Sequence, residues 1–165
     1  MPNADAQDEE LHQAVERLFF AYRDFTGEAD EILADYGFGR AHHRAIYFIG
    51  RNPEISVSNL LGILKITKQS LSPVLGQLVE ERYVHQEPGQ KDRRRRMLSL
   101  TEKGHQLEAR LTRCQCRRIA AAYEQSGATA VDGFLTVLCQ IIDAPDRDCA
   151  SLLRKDSFDV GASRQ

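Results

Sequence analysis

ISVSNLLGILKITKQSLSPVLGQLVEERYVHQEPGQKDRRRRMLSLTEKG, residues Ile55 to Gly104, is the stretch from which the fold can be read. Ser56 is placed to cap a short helix through Leu60, Leu61 and Leu64, its hydroxyl accepting an orphan backbone N–H. Lys65-Ile66 is a brief connector, and Thr67 caps a second helix in the same way. In that helix Leu71, Val74, Leu75 and Leu78 fall at i, i+3, i+4 and i+7, one stripe to be buried. The opposite face carries Lys68, Gln69, Ser72, Pro73 and Gly76, residues short or polar enough for a groove wall to approach. A helix-turn-helix sets such a face in the DNA major groove, with its N-terminal residues toward base edges.

After Tyr83 the apolar period shifts from 3.6 to 2. Tyr83–Glu87 reads as a strand and Pro88–Lys91 as a turn. Arg94–Leu100 is the returning strand, with Leu98 and Leu100 inward and Ser99 outward. The tip carries Lys91, Asp92 and four arginines, Arg93, Arg94, Arg95 and Arg96. A run of like charge is most often a solvated face. Beside a helix-turn-helix it is better suited to phosphates and to a narrow minor groove, where arginine meets strong negative potential. Ser56, at the head of the first helix, joins these residues in the candidate DNA-facing set.

The order helix-turn-helix, then D-x-R in the wing (Asp92, Arg94), then L-T-x-x-G (Leu100, Thr101, Gly104) resembles the MarR family of winged-helix regulators. The likeness covers most of the chain, and FFAYRDF, GRAHHR and LKITKQSL resemble the PetP/LdtR-like branch of that family. The resemblance implies a mainly α fold with a small β wing. It implies a winged helix-turn-helix set in an intertwined homodimer with long N- and C-terminal dimerisation helices. By the same resemblance Arg94 enters the minor groove, Asp92 orients it, and Thr67, Lys68, Gln69 and Ser72 make recognition-helix contacts. A ligand pocket is implied where the dimerisation helices meet the winged head. The residues around it are Tyr22, Phe25, His42, Arg44, Ile46 and Phe48, with Lys65 and Thr67 at the lower edge. Such a crevice suits an aromatic or phenolic small-molecule effector, although the same residues would also make an ordinary core.

Pro73 departs from the family pattern, which commonly has arginine or another polar residue there. A proline in mid-helix removes a backbone donor and clashes with the carbonyl of Gln69, at roughly 3 kcal/mol in an ordinary helix. Gly76 costs about 1 kcal/mol relative to alanine. The expectation is a kink, or a helix that begins late, near residue 72.

Length allows one domain's worth of core. The first twenty residues are acidic and no apolar run approaches membrane-spanning length, which points to a soluble, cytoplasmic protein with no membrane association. The formal net charge of −2 hides its distribution. Residues 1–39 hold 2 basic and 10 acidic side chains, whereas residues 40–103 hold 12 and 6. The basic footprint is therefore local, and the mild pI is compatible with nucleic acid.

Residues 1 to about 7 are polar and expected to be disordered. From Asp8 a helix places Leu11, Val15, Leu18, Phe19, Tyr22 and Phe25 on one face. It has little of its own domain to pack on and reads as an arm for another subunit. A helix from Arg40 to Arg51 carries the stripe His42, Ala45, Ile46 and Ile49. His42 and His43 diverge by about 100° on it, so a shared metal is disfavoured and one is expected in a core or pocket, the other toward solvent. Thr101 caps a long helix with Leu107, Leu111, Cys114, Arg118 and Ala121 near heptad spacing, and its arginines are placed to pair with the acidic arm. Val131, Phe134, Leu135, Leu138, Ile141 and Ile142 mark an apolar last helix. The division is thus an arm over 1–39, a winged helix-turn-helix over 40–103, dimerisation helices over 104–155 and a disordered tail over 156–165.

Cys114, Cys116, Cys139 and Cys149 lie in the C-terminal third without a metal-ligand spacing, and read as small, buried or half-buried thiols in a reducing cytosol. Peroxide-sensing members of the family carry their reactive cysteine in the N-terminal helical region, where this chain has none. No P-loop, G-x-S-x-G, H-E-x-x-H or dinucleotide fingerprint is present, so the protein is not read as an enzyme and needs no cofactor or metal. The leading reading is a homodimeric, sequence-specific regulator of double-stranded DNA, acting on a pseudo-palindromic operator and tuned by a small molecule. The alternatives are a thiol-based redox regulator and a protein-interaction module that uses the basic wing.

Overall fold

The computed structural model describes residues 4–90 and 92–143. Lys91, Cys149 and the expected tail over 156–165 lie outside those residues. Helix α1 (Ala4–Ala34) is followed by α2 (Arg40–Arg51), strand β1 (Ile55–Ser56), α3 (Val57–Leu64) and α4 (Lys68–Glu80). Strands β2 (Val84–Pro88) and β3 (Arg96–Leu100) form the wing, and α5 (Glu102–Ser126) and α6 (Ala128–Ile141) complete the order. None of the described helices is long and apolar enough to cross a membrane.

The head is built as its caps dictate. Ser56 Oγ accepts from Asn59 N at 3.1 Å to start α3, and Thr67 Oγ1 accepts from Ser70 N at 3.2 Å to start α4. Between them Lys65 closes α3 in the left-handed region, at φ +50°. The three strands are antiparallel in the order β1-β3-β2, with Ile55 opposite Leu98 and Val84 opposite Leu100. The inward set Ile55, Val84, Leu98 and Leu100 is buried against Ile46, Ile49, Leu60, Leu71 and Leu78. Leu33 from α1 and Leu107 and Leu111 from α5 close the same core.

Several expectations change. Helix α1 begins at Ala4, so residues 4–7 are helical rather than disordered. Alanine favours the helix and acidic side chains in the first turns suit its positive end. It continues unbroken through Gly27. Helix α4 begins at Lys68, not near 72, and runs through Pro73 without interruption. The lost bond and ring clash cost roughly 3 kcal/mol. Burying each of Leu71, Val74, Leu75 and Leu78 returns about 1.5–3 kcal/mol, which outweighs it. Strand β3 starts at Arg96, so Arg94 and Arg95 belong to the turn. Of the cysteines among the described residues only Cys114 meets the expectation of burial. Cys116 is exposed because it turns about 200° from Cys114 on α5, and Cys139 because α6 buries none of its residues within this chain.

The first turn of α5 lies close against the head. Thr101 Oγ1 donates to the Arg82 carbonyl at 2.7 Å and accepts from Gly104 N at 3.0 Å, and Thr101 N donates to the Tyr83 carbonyl at 3.0 Å. A Cβ on Gly104 would stand 2.1 Å from that carbonyl oxygen. Only glycine lets the first turn of α5 lie this near. Gly104→Ala should therefore lose about 3 kcal/mol in urea unfolding. Gly76→Ala, in α4 where nothing stands within 4 Å of a new Cβ, should gain about 0.5–1 kcal/mol. Equal shifts in the two variants would show that the Gly104 contact relaxes freely.

Candidate nucleic-acid interface

Thr67, Lys68, Gln69, Ser70, Ser72, Pro73 and Gly76 are exposed along one side of α4, while its other side is buried. Its N-terminal half thus presents short polar side chains to solvent on a rigid support. Lys68 carries the cation of that face.

At the wing tip, Asp92 Oδ1 accepts from Arg94 N at 2.9 Å, and Arg95 N donates to the Asp92 carbonyl at 3.0 Å. Gly89 N donates to the Arg95 carbonyl at 2.8 Å and closes the loop. The carboxylate thereby holds the backbone of the arginine run. Arg93, Arg94 and Arg96 are exposed and their guanidinium groups make no hydrogen bond or ion pair with described residues. Arg95 differs, because its Nη2 donates to Ser56 Oγ at 3.2 Å. Ser56 itself is 2% exposed. A buried hydroxyl that caps α3 and receives Arg95 is occupied inside the head, so Ser56 does not belong on the DNA-facing surface where the sequence reading put it.

Two cavities lie on the other side of α2 and along α5. The first, about 530 Å³, is bounded by α1, α2 and α5. Of the residues expected around a pocket it takes Tyr22, Phe25, Arg44 and Phe48. It adds Arg40, His43 and Tyr47 from α2, and Thr112, Cys116, Ile119 and Tyr123 from α5. The second, about 650 Å³, continues past Tyr22, Phe25, Ile119 and Tyr123 toward Phe134 and Leu138 of α6.

The remaining expected pocket residues lie elsewhere. Ile46 is wholly buried in the core. Lys65 Nζ pairs with Asp143 Oδ2 at 3.1 Å, and Thr67 caps α4. His42 stacks on Phe38 at 4.7 Å, and its Nδ1 accepts from Gly39 N at 3.1 Å. With Nδ1 an acceptor, the neutral ring carries its proton on Nε2, which donates to Gln77 Oε1 of α4 at 2.9 Å. The neighbouring His43 takes the cavity instead, because the helix stripe that faces inward passes through 43, 46 and 49 rather than 42. The α5 wall escaped the sequence reading. Its signal is a second stripe, Thr112, Cys116, Ile119 and Tyr123, at helical spacing beside the buried Leu107, Leu111 and Cys114.

Burial holds the His43 imidazole below its ordinary value of 6.5, against the opposing pull of Asp30 and Glu108. The unfolded chain takes up a proton as pH falls through about 6.5 while the folded chain resists, so stability is full above that value and declines below it. Urea unfolding at about pH 7.5 and 5.5 should show wild type losing more stability across the interval than His43→Gln. The same loss in both proteins would mean that this ring is protonated as easily in the fold as in water.

A MarR family model matches residues 36–95. Over 147 residues the chain is 45% identical to the HTH-type transcriptional regulator PetP of Rhodobacter capsulatus, spanning 89% of this chain and 89% of that protein. Its fold is similar to that of Streptococcus pneumoniae FabT, solved in complex with DNA, with a TM-score of 0.72 at 17% identity over 79% of this chain and 94% of that one. It is also similar to the MarR family transcription regulator SP03579, with a TM-score of 0.71 at 15% identity over 90% of this chain and 96% of that one.

Proposed function

This chain belongs to the MarR family and is a DNA-binding transcriptional regulator, not an enzyme, and from that premise we propose how it reads DNA and what tunes it. It acts as a homodimer on a pseudo-palindromic operator, and a small aromatic or phenolic molecule modulates its affinity. The observation that carries the DNA part is the pairing, on one head, of the exposed polar side of α4 with three wing-tip arginines that have no partner among the described residues. Lys68, Gln69 and Ser72 meet base edges in the major groove. Arg94 enters the minor groove beside them, its backbone held by Asp92. Arg93 and Arg96 neutralise phosphates. Arg95 braces the wing to α3.

Residues 40–103 form the DNA-binding head, and the segments before and after it form the dimer. Support for the dimer is the apolar surface that a single chain leaves open. Leu11, Val15, Leu18, Phe19 and Phe20 on α1 and Phe134, Val137 and Ile141 on α6 are each at least 44% exposed. A twofold dimer buries these faces against each other and sets two heads on half-sites about one helical turn apart, roughly 34–36 Å.

The effector occupies the first cavity. Helix α2 supplies one wall through His43 and Arg44, and on another side its His42 is tied to Gln77 of α4. A molecule that wedges α2 away from α5 is felt at the recognition helix through that tie. It lowers DNA affinity by its preference for dimers whose half-site spacing is wrong.

Selection of bound duplexes from random DNA tests the reading. Wild type should enrich a pseudo-palindrome, and Arg94→Ala should weaken it by about 1–3 kcal/mol with a salt slope reduced by about one. A folded protein that enriches no sequence would support the basic wing as a protein-binding surface instead. Sedimentation at micromolar concentration should give a dimer, and a monomer there would reject the twofold operator.

A further inference from the structure

In the sheet, β1 reaches outward only as far as the pairing of Ser56 with Met97. Past that pair the wing is a two-stranded ribbon, closed by the loop from Gly89 to Arg95. A ribbon of two strands is marginal by itself and bends easily. This one also carries four consecutive arginines, whose like charges repel one another. A tip that delivers one arginine to one place needs a tie to the rest of the head.

Arg95 supplies the tie. Its backbone closes the loop from both sides, with its N–H on the Asp92 carbonyl at 3.0 Å and its carbonyl on Gly89 N at 2.8 Å. Its side chain reaches back to β1, where Nη2 donates to Ser56 Oγ at 3.2 Å. Among the described residues this is the one side-chain hydrogen bond that joins residues 89–96 to anything outside the hairpin. Ser56 is a firm anchor, because it is buried and already accepts from Asn59 N at 3.1 Å as the cap of α3. A hydroxyl oxygen has two acceptor lone pairs, so one atom takes both bonds. The wing tip is thereby fastened to the point where the helix-turn-helix begins.

Folding stability does not account for this bond. The guanidinium stands at the N-terminus of α3, the end of a helix dipole that repels a cation. Arg95 is also exposed, so water would satisfy its donors as well.

We propose that Arg95 is a positioning residue for operator specificity. Through Ser56 it holds the wing tip at a fixed offset from α4. It thus sets how many base pairs separate the bases read by α4 from the minor-groove site of Arg94. The inference rests on the DNA reading above and adds to it a pair of residues that read no base themselves. Arg94 is the preceding residue, its Cα about 3.8 Å from that of Arg95, and its own N–H is fixed on Asp92 at 2.9 Å. Pinning Arg95 therefore pins the point from which the Arg94 side chain extends. The far end of the strut is rigid toward α4, since α3 and α4 bury Leu60, Leu71 and Leu78 in one core. With the strut cut, the wing keeps its charge while Arg94 samples a range of offsets.

The test is duplex selection with the full chain, scored as base preference at each position and not as total affinity. Wild type should show an A·T-rich run at one fixed distance from the bases read by α4. Ser56→Gly removes the acceptor, keeps the cap of α3 nearly intact and leaves every charge on the wing. In it the α4 positions should keep their preference, and preference in the A·T run should fall about tenfold. Arg95→Ala should lose the same preference, and the double variant should be no worse than the worse single one. Arg93→Ala, a phosphate contact in the reading above, should weaken binding to all duplexes alike.

Amide exchange of the protein without DNA gives a second readout. The N–H groups of Gly89, Arg94 and Arg95 should exchange about tenfold faster in Arg95→Ala, with that of Leu100 unchanged. The proposal is overturned if Arg95→Ala behaves like Arg93→Ala, if Ser56→Gly keeps the wild-type profile, or if the two losses add. Arg95 is exposed, so its variant folds even where Ser56→Gly does not, and the comparison with Arg93→Ala then decides. A wild type that enriches no sequence would reject the DNA reading and the specificity role with it, whereas the exchange rates report on the strut alone.

Discussion

Everything in the head is referred to one carbonyl, that of Tyr83. It accepts from Thr101 N at 3.0 Å and lies against Gly104, while the Lys103 ammonium sits 3.9 Å over the Tyr83 ring and donates to the Glu81 carbonyl at 2.9 Å. These contacts join the end of α4, the root of the wing and the first turn of α5 within a few residues. Each hydrogen bond contributes only about 1 kcal/mol, so the constraint is geometric more than energetic. A helix that must start against this carbonyl has one direction in which to leave the head. The L-T-x-x-G motif is the sequence record of that requirement, with threonine to cap and glycine to permit the approach.

The same kind of requirement explains what could be read in the sequence. Caps, apolar stripes and the change of period at Tyr83 are local, and they placed α2, α3 and the wing within a residue or two. Where two local terms opposed each other, reading was harder. Pro73 argues for a broken helix, yet the Thr67 cap and four buried aliphatic side chains hold α4 from Lys68 onward. At the other sites the missing information was rotational. His42 and His43 share every sequence property, and only the facing of α2 decides that His43 enters the cavity while His42 reaches Gln77. Ser56 looked available to DNA because serine usually is exposed, and it is buried because β1 pairs it with Met97.

That rotation gives α2 its central position. Its buried stripe packs into the core, one flank closes the cavity with His43, Arg44 and Tyr47, and another carries His42 to α4. The Phe38–His42 stack continues edge-on into Tyr83 at 5.1 Å, so this flank also touches the junction with α5. A displacement of α2 cannot be absorbed locally, because packed aromatic rings at these distances leave no slack. The cavity is therefore next to the one helix whose movement the head must register.

What holds the long helices in place is decided by comparing magnitudes. Arg117 reaches Glu28 and Arg40 reaches Asp30 across α1, α2 and α5, but these partners are 30–67% exposed and such pairs are worth about 0–1 kcal/mol each. Within the chain, α1 is fixed to the core by Ala29 and Leu33 near its C-terminal end. Toward its N-terminus Leu11, Val15, Leu18, Phe19 and Phe20 stay open, and burying each would add about 1.5–3 kcal/mol. The acidic arm is thus anchored at one end and offers several times more free energy from apolar burial than its ion pairs supply. Stability that depends on covering such a face depends on protein concentration as well. Salt should weaken a Coulombic grip on DNA far more than it would weaken the proposed apolar association of the arms.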